Sequence, residues 1–153
     1  MAYLCRMIKT NDIESFCNKL RKHGLKATPQ RIAVHESMLR LGHASADQIA
    51  SDIAANSEAK ITVASVYNIL SDLSELGIYQ RRMSRSNKMF FDVNTLPHCH
   101  VYDCENDTYR DLVDEELEMM VQNYLGGRKF RGYKVDGIDI QILVRPSSRK
   151  KKV

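Results

Sequence analysis

Three helix-start signals crowd into residues 28–62, and two short strand patterns follow them. Thr28 precedes Pro29, which suits the first helical position because its missing N–H costs nothing there. Ser45 and Gln48 form a capping box, each side chain placed to satisfy the other's backbone donor. Thr62 stands ahead of a third helical pattern. Behind these starts, Ile32, His35, Met38 and Leu39, then Ile49 and Ile53, then Val63, Val66, Leu70 and Leu73 recur at helical spacing. The stripes end at Gly42, Asn56 and Gly77. Residues 11–23 add an opening amphipathic helix, with Ile13, Phe16, Cys17 and Leu20 on one stripe and Gly24 as its stop. Residues 78–84 and 88–93 read as strands around a polar Arg85-Ser86-Asn87 turn.

Short helices followed by a two-stranded hairpin spell a winged helix-turn-helix. In that arrangement the last helix enters the DNA major groove and the hairpin flanks it. That helix offers Ser65, Tyr67 and Asn68, which hydrogen-bond and stack but carry no charge. Lys26 and Arg31 before it, with Arg81, Arg82, Arg85 and Lys88 in the wing, supply the cations that phosphates need. The alternative at this point is a small helical domain with a solvated basic hairpin.

The chain has 153 residues, enough for a second small unit. Thr95-Leu96-Pro97 reads as a hinge, which places a winged-helix domain at 1–94 and an α/β unit at 98–146, with a basic tail at 147–153. In the second unit, residues 101–102 and 109–113 are strand candidates. Residues 114–125 read as a helix with Leu117, Met120, Val121 and Tyr124 inward and Gly126-Gly127 as its stop. Ile138, Ile140, Ile142 and Val144 alternate as in a half-buried strand. So few strands are more comfortable if the sheet continues into a partner subunit. The fold class expected is therefore α+β.

Charge separates the two halves. Residues 1–90 carry 13 Lys/Arg against 8 Asp/Glu, whereas residues 103–118 hold eight acids and one Arg, and residues 145–152 hold five bases and no acid. A polyanion suits the first half and a cation the second. No apolar run reaches the ~18 residues of a membrane span, and the opening MAYLCRMIKT lacks the apolar stretch of a secretory signal. A cytoplasmic protein without membrane contact is the expectation. Four cysteines, Cys5, Cys17, Cys99 and Cys104, form no CxxC pair and suit neither a disulfide scaffold nor a zinc ribbon. Cys5 and Cys17 read as partly buried helix residues, and Cys99 and Cys104 as structural thiols.

The stretch that carries chemistry is Asp92, His98 and His100, followed by Asp111. Histidines two apart on a strand share a face, as joint ligands of one ion must, and the two aspartates bracket them. Imidazole with carboxylate oxygen suits Fe(II), Mn(II) or Zn(II) and lacks the thiolates of a closed structural zinc site. The same types with open positions also occur in non-haem iron oxygenases. An oxygenase, however, has no use for a basic winged helix, and the second unit shows no substrate pocket in its sequence. A haem-responsive or metal-free DNA-binding protein is a further, fainter alternative. His43, just ahead of the Ser45 cap, reads by itself as an exposed loop histidine, and His23 and His35 as helix-surface or partly buried residues.

Taken together, GLKATPQR at 24–31, HASADQI at 43–49, TVASVYNILSDLSELG at 62–77 and FDVNTLPHCH at 91–100 resemble the ferric uptake regulator (Fur) superfamily over roughly residues 12–145. The resemblance implies a DNA-binding winged helix, a C-terminal α/β dimerisation domain and a regulatory metal at their junction. It puts His43, Asp92, His98, His100 and Asp111 at the five ligand positions, so His43 becomes a ligand rather than a loop residue. The implied protein is a homodimeric repressor without catalytic turnover that binds a double-stranded operator, an inverted repeat, when Fe(II) or Mn(II) is bound; Zn(II) would bind in vitro. Asp92 and Asp111, where iron-uptake regulators tend to carry Glu, and Asn68, where they tend to carry Arg, make the chain most similar to the peroxide-sensing repressors of the superfamily. In those, Fe(II) and peroxide oxygenate a ligand histidine, here His43 or His98. The alternative within the superfamily is an iron- or manganese-responsive repressor indifferent to peroxide. One departure is large: the first cysteine pair of the family's structural zinc falls at Asp103 and Asn106, and the C-terminal stretch has no Cys, so no four-cysteine zinc site is expected. Pro97 and Gly137 stand where a further sensory site would have histidine, so that site is expected to be absent too.

Overall fold

Every helix start read from the sequence is built as a cap. In the computed structural model, which describes residues 12–147, Asp12 caps α1 (Ile13–Lys22) by accepting from the Ser15 N–H. Thr28 caps α2 (Pro29–Leu41), with Pro29 in the first turn. Ser45 and Gln48 close both arms of the capping box at α3 (Ala46–Asn56), and Thr62 caps α4 (Val63–Glu75). Such caps are each worth about 1 kcal/mol, and because they are local they can be read without knowing the rest of the fold. Cys5 and the tail beyond Ser147 lie outside the described residues.

The chain falls into two compact units, the first ending at Thr95 and the second beginning at Leu96. In the first, Phe16, Leu20, Val34, Met38, Ile49, Ile53, Val66, Leu70, Leu73 and Phe91 are completely buried against one another. The hairpin consists of β2 (Gln80–Met83) and β3 (Met89–Asp92), shorter than the sequence pattern suggested. Its turn is tied by Ser84, which bonds Lys88 through both main chain and hydroxyl, and Asn87 takes the left-handed conformation that asparagine tolerates. A third strand, β1 (His43–Ala44), pairs antiparallel with β3 and gives the order β1-β3-β2.

Two stripe positions are corrected. Leu39 is 42% and Val63 44% exposed, because each lies at the margin of an apolar stripe that its neighbours do not reach. His35, read as a surface or partly buried residue, is wholly enclosed. Its ring stacks on Phe16 with centroids 3.9 Å apart, and its Nδ1 lies 2.7 Å from the Tyr79 hydroxyl. Burial raises the Tyr79 pKa far above the usual phenol value, so the hydroxyl keeps its proton, and the direction of its hydrogen bond with Nδ1 follows the His35 tautomer.

The second unit is a three-stranded sheet, ordered β5-β4-β6, with one helix. β4 (Cys99–Asp103) pairs antiparallel with β5 (Thr108–Leu112) and parallel with β6 (Gln141–Val144). Asp114 caps α5 (Glu115–Leu125), and Gly126 ends it. Here the sequence reading overestimated burial. Met120 is 63%, Tyr124 62% and Ile138 47% exposed, and β6 starts only at Gln141. The apolar face of α5 is wider than three short strands can cover.

Candidate metal centre

The first unit supplies one histidine–carboxylate pair. Antiparallel pairing places Ala44 opposite Phe91 and His43 opposite Asp92. Because strand side chains alternate, the first pair fills the core while the second turns to the other face. Asp92 is oriented by its own backbone: Oδ1 accepts the Asn94 N–H at 2.7 Å, while Oδ2 lies 3.3 Å from His43 Nε2. The His43 side chain is only 7% exposed, which corrects the loop-histidine reading. Nothing local in the sequence signals β1, since its partner strand lies nearly fifty residues further on.

The second unit supplies another pair and a further histidine. His98 Nδ1 is 2.7 Å from the Leu96 carbonyl, which can only accept, so Nδ1 carries the ring proton. In a neutral ring Nε2 then presents its lone pair, and it lies 3.2 Å from Asp111 Oδ1. A lone pair facing a carboxylate oxygen at that distance is repulsive unless a proton or a cation lies between them. His100 pairs with Asp111 across β4 and β5, and its ring centroid is 4.2 Å from that of His98. Ligand-capable atoms of His98, His100 and Asp111 all lie within 4.8 Å of one another. His98 precedes β4 rather than lying in it, yet the two rings still meet. Sequence reasoning missed Asp139, whose Oδ1 is 3.9 Å from His100 Nδ1. No local pattern marks it, because β6 delivers it from the far end of the unit.

The donors are imidazole nitrogens and carboxylate oxygens, the set that suits Fe(II), Mn(II) and Zn(II). Cys99, between the two histidines in sequence, lies outside the cluster of ligand atoms. Its burial, reinforced by Glu118, Asp114 and Asp139, pushes its pKa up, and it lines a cavity of about 60 Å³ with Glu118, Val121 and Ile138. Cys17 and Cys104 are half-buried free thiols. At the two positions matching the family's first zinc cysteine pair, Asn106 Nδ2 instead donates to Asp103 Oδ2 at 2.8 Å.

The residues expected to meet DNA are distributed as follows. Tyr67 and Asn68 are exposed on α4, and Tyr67 packs edge-on against Phe91 at 6.0 Å. Ser65 is half-buried and accepts from the Thr62 hydroxyl, so the cap already engages it. Tyr67, Asn68 and Lys88 line an open groove of about 500 Å³ between α4 and the hairpin turn. Arg81, Arg85, Lys88 and Lys26 are exposed, while Arg82 and Arg31 are half-buried. Arg31 is additionally tied to the Lys26 carbonyl at 2.9 Å.

The ferric uptake regulator family profile matches residues 22–142. The chain belongs to the ferric uptake regulator family. Over 119 residues, 74% of this chain and 77% of that one, it is 31% identical to a peroxide-responsive repressor PerR of Staphylococcus epidermidis. The ferric uptake regulator of Vibrio cholerae shares the fold, with a TM-score of 0.70 at 19% identity over 85% of this chain and 98% of that one. That of Pseudomonas aeruginosa, solved with manganese, gives 0.65 at 22% identity over 84% and 96%. This ferric uptake regulator family member is thus an α+β protein of a family of metal-responsive repressors, regulators rather than enzymes. None of its described helices is long and apolar enough to cross a membrane.

Proposed function

We propose that this protein is a cytoplasmic, homodimeric, metal-dependent repressor that senses peroxide. One ion would be held by His43, Asp92, His98, His100 and Asp111. What carries this reading is the facing of His98 Nε2 and Asp111 Oδ1 at 3.2 Å, matched in the first unit by His43 Nε2 and Asp92 Oδ2 at 3.3 Å. A divalent cation would relieve such a contact, and in this proposal one ion serves both pairs. Asp92 and His98 are six positions apart in the chain, so an ion bound by both pairs would tie the winged helix to the second unit. Two such DNA-binding units, held at a fixed angle, match successive major grooves of an inverted repeat.

Fe(II), if bound there, would activate peroxide, so that overall one H2O2 delivers one oxygen to a ring C–H and leaves as water. Asp92 and Asp111 contribute hard oxygen donors that suit the ion. His43 and His98 would be the ligands whose imidazole ring carbon takes up that oxygen in place of hydrogen. An oxygenated ring would be a poorer ligand, and loss of the ion would release the operator. Ser65, Tyr67 and Asn68 would meet base edges, and Lys26, Arg31, Arg81, Arg82, Arg85 and Lys88 phosphates. Dimerisation would draw on exposed apolar side chains of the second unit, Met119, Met120 and Tyr124 on α5 and Ile142 or Leu143 on β6. No four-cysteine zinc is needed for that contact.

The deciding experiment first selects a duplex from a random pool with Mn(II)-loaded protein. Binding of that duplex is then measured for the Fe(II) and Mn(II) forms before and after near-stoichiometric hydrogen peroxide. Loss of binding in the iron form alone, with a 16 Da gain on the peptide bearing His43 or His98, is the expected result. Binding that requires metal but survives peroxide would make the protein an iron- or manganese-responsive repressor instead. Binding indifferent to metal would refute the metal-dependent reading altogether.

A further inference from the structure

The second unit carries a basic, aromatic segment that the metal site does not use. Residues 119–135 hold four Lys/Arg and no acid, directly after the eight acids of residues 103–118. The bases are Arg128, Lys129, Arg131 and Lys134, interleaved with Phe130 and Tyr133. Among the described residues none of these cations is ion-paired. The segment also has a defined shape. The Tyr133 N–H donates to the Phe130 carbonyl at 2.9 Å, closing a turn in which Gly132 takes a φ of +82°, a conformation open to glycine. The turn carries an aromatic residue at each end and Arg131 between them. Just ahead of it, the Arg128 guanidinium is held 3.9 Å from the centroid of the Tyr124 ring.

Arg128, Lys129, Phe130, Arg131 and Tyr133 line an open groove of about 690 Å³. Phe130 is 47% and Tyr133 83% exposed, so both rings offer area to a partner. Aromatic faces beside available cations match single-stranded nucleic acid, whose bases stack on rings while its phosphates meet the charges. A duplex would engage the cations but not the rings, because its bases are already stacked on one another. A small anion would leave the rings bare, and so open a groove encloses little of a small ligand. We propose that residues 128–134 form a binding surface for single-stranded nucleic acid, separate from the winged helix. It uses no residue of the metal site and stands independently of that reading.

The test uses the full chain and a fluorescein-labelled oligothymidylate of about 12 nucleotides, with binding followed by anisotropy. A mixed-sequence duplex of equal length is the comparison. Phe130→Leu with Tyr133→Leu keeps the charge and is expected to weaken oligothymidylate binding by roughly tenfold or more, with duplex binding unchanged. Lys129→Gln with Arg131→Gln is expected to lower the single-strand slope of log affinity against log salt by about 1.4. If the aromatic variant fails to fold in thermal melts, the charge variant decides: an unaltered slope overturns the proposal. Failure of the unaltered chain to bind oligothymidylate overturns it as well. So does unchanged affinity in the aromatic variant, which would assign the single strand to the winged helix. An equal loss on single strand and duplex would reduce the segment to a general polyanion patch. A changed oligomeric state of the aromatic variant in light scattering would make the groove an interface between copies, again overturning the proposal.

Discussion

Removing the Tyr79 hydroxyl tests whether the buried His35–Tyr79 contact supports the winged helix. The two side chains come from positions 44 apart in sequence and are 2% exposed each, with a donor–acceptor distance of 2.7 Å. Tyr79→Phe leaves the ring packing in place but removes the hydrogen-bond partner of a buried imidazole nitrogen. Such a loss costs about 1–3 kcal/mol, which lowers the midpoint of a domain this size by roughly 4–8 °C per kcal/mol. His35→Leu should cost a similar amount, since it strands the Tyr79 hydroxyl. The double variant should cost clearly less than the sum, because an apolar pair has nothing left to satisfy. Thermal melts followed by circular dichroism on all four proteins close the cycle. If the two single losses add within about 0.3 kcal/mol, the contact contributes nothing specific and the reasoning fails.

Four further outcomes follow from the same coordinates. Arg40 grips Asp52 with two nitrogens, and that hydrogen bond, ahead of the smaller contribution from Ser37, holds the Asp52 carboxyl below its usual range. The folded state therefore binds its proton less readily than the unfolded one. The resulting stability is complete above the unfolded value of about 3.9 and is lost as pH falls through the lower folded value, so Asp52→Asn should flatten the acid limb of the melting curve. Arg85→Ala with Lys88→Ala should reduce the slope of log affinity against log salt by about 2 if both touch phosphate; an unaltered slope removes the wing from the interface. Cys99, with its pKa pushed up by burial and neighbouring acids, should alkylate more slowly than Cys104 at neutral pH, as peptide mass mapping over time would reveal, and equal rates would contradict its burial. Atomic absorption after chelation should find no tightly held zinc, whereas about one zinc per chain would restore a structural site elsewhere.

The elements legible from sequence were those whose cause is local. Thr28, Ser45 and Thr62 cap the helices they precede, because capping involves residues only three apart, whereas Asp114, read as helical, is a cap. What escaped was non-local pairing. β1 is two residues of unremarkable composition, strand only because β3 comes to it. Asp139 was invisible for the same reason, since a parallel crossover brings it to His100. Met120 and Tyr124 were misjudged because periodicity reports an apolar face without reporting what covers it. At the site, the spacing of His98 and His100 foretold neighbouring rings, whereas the approach of His43 to Asp92 depends on a register that spacing cannot express.

The brevity of β1 has a dynamic consequence. A ladder of two residue pairs is the least protected regular structure in its unit, beside a core whose central side chains are fully enclosed. Opening it breaks fewer backbone pairs than opening β2 from β3 or unwinding a helix, although Ala44 itself is enclosed in the core. A ligand gripping His43 and Asp92 together acts as a latch on that motion. Slowed amide exchange at residues 43 and 44 would then report occupancy even where the average structure does not change.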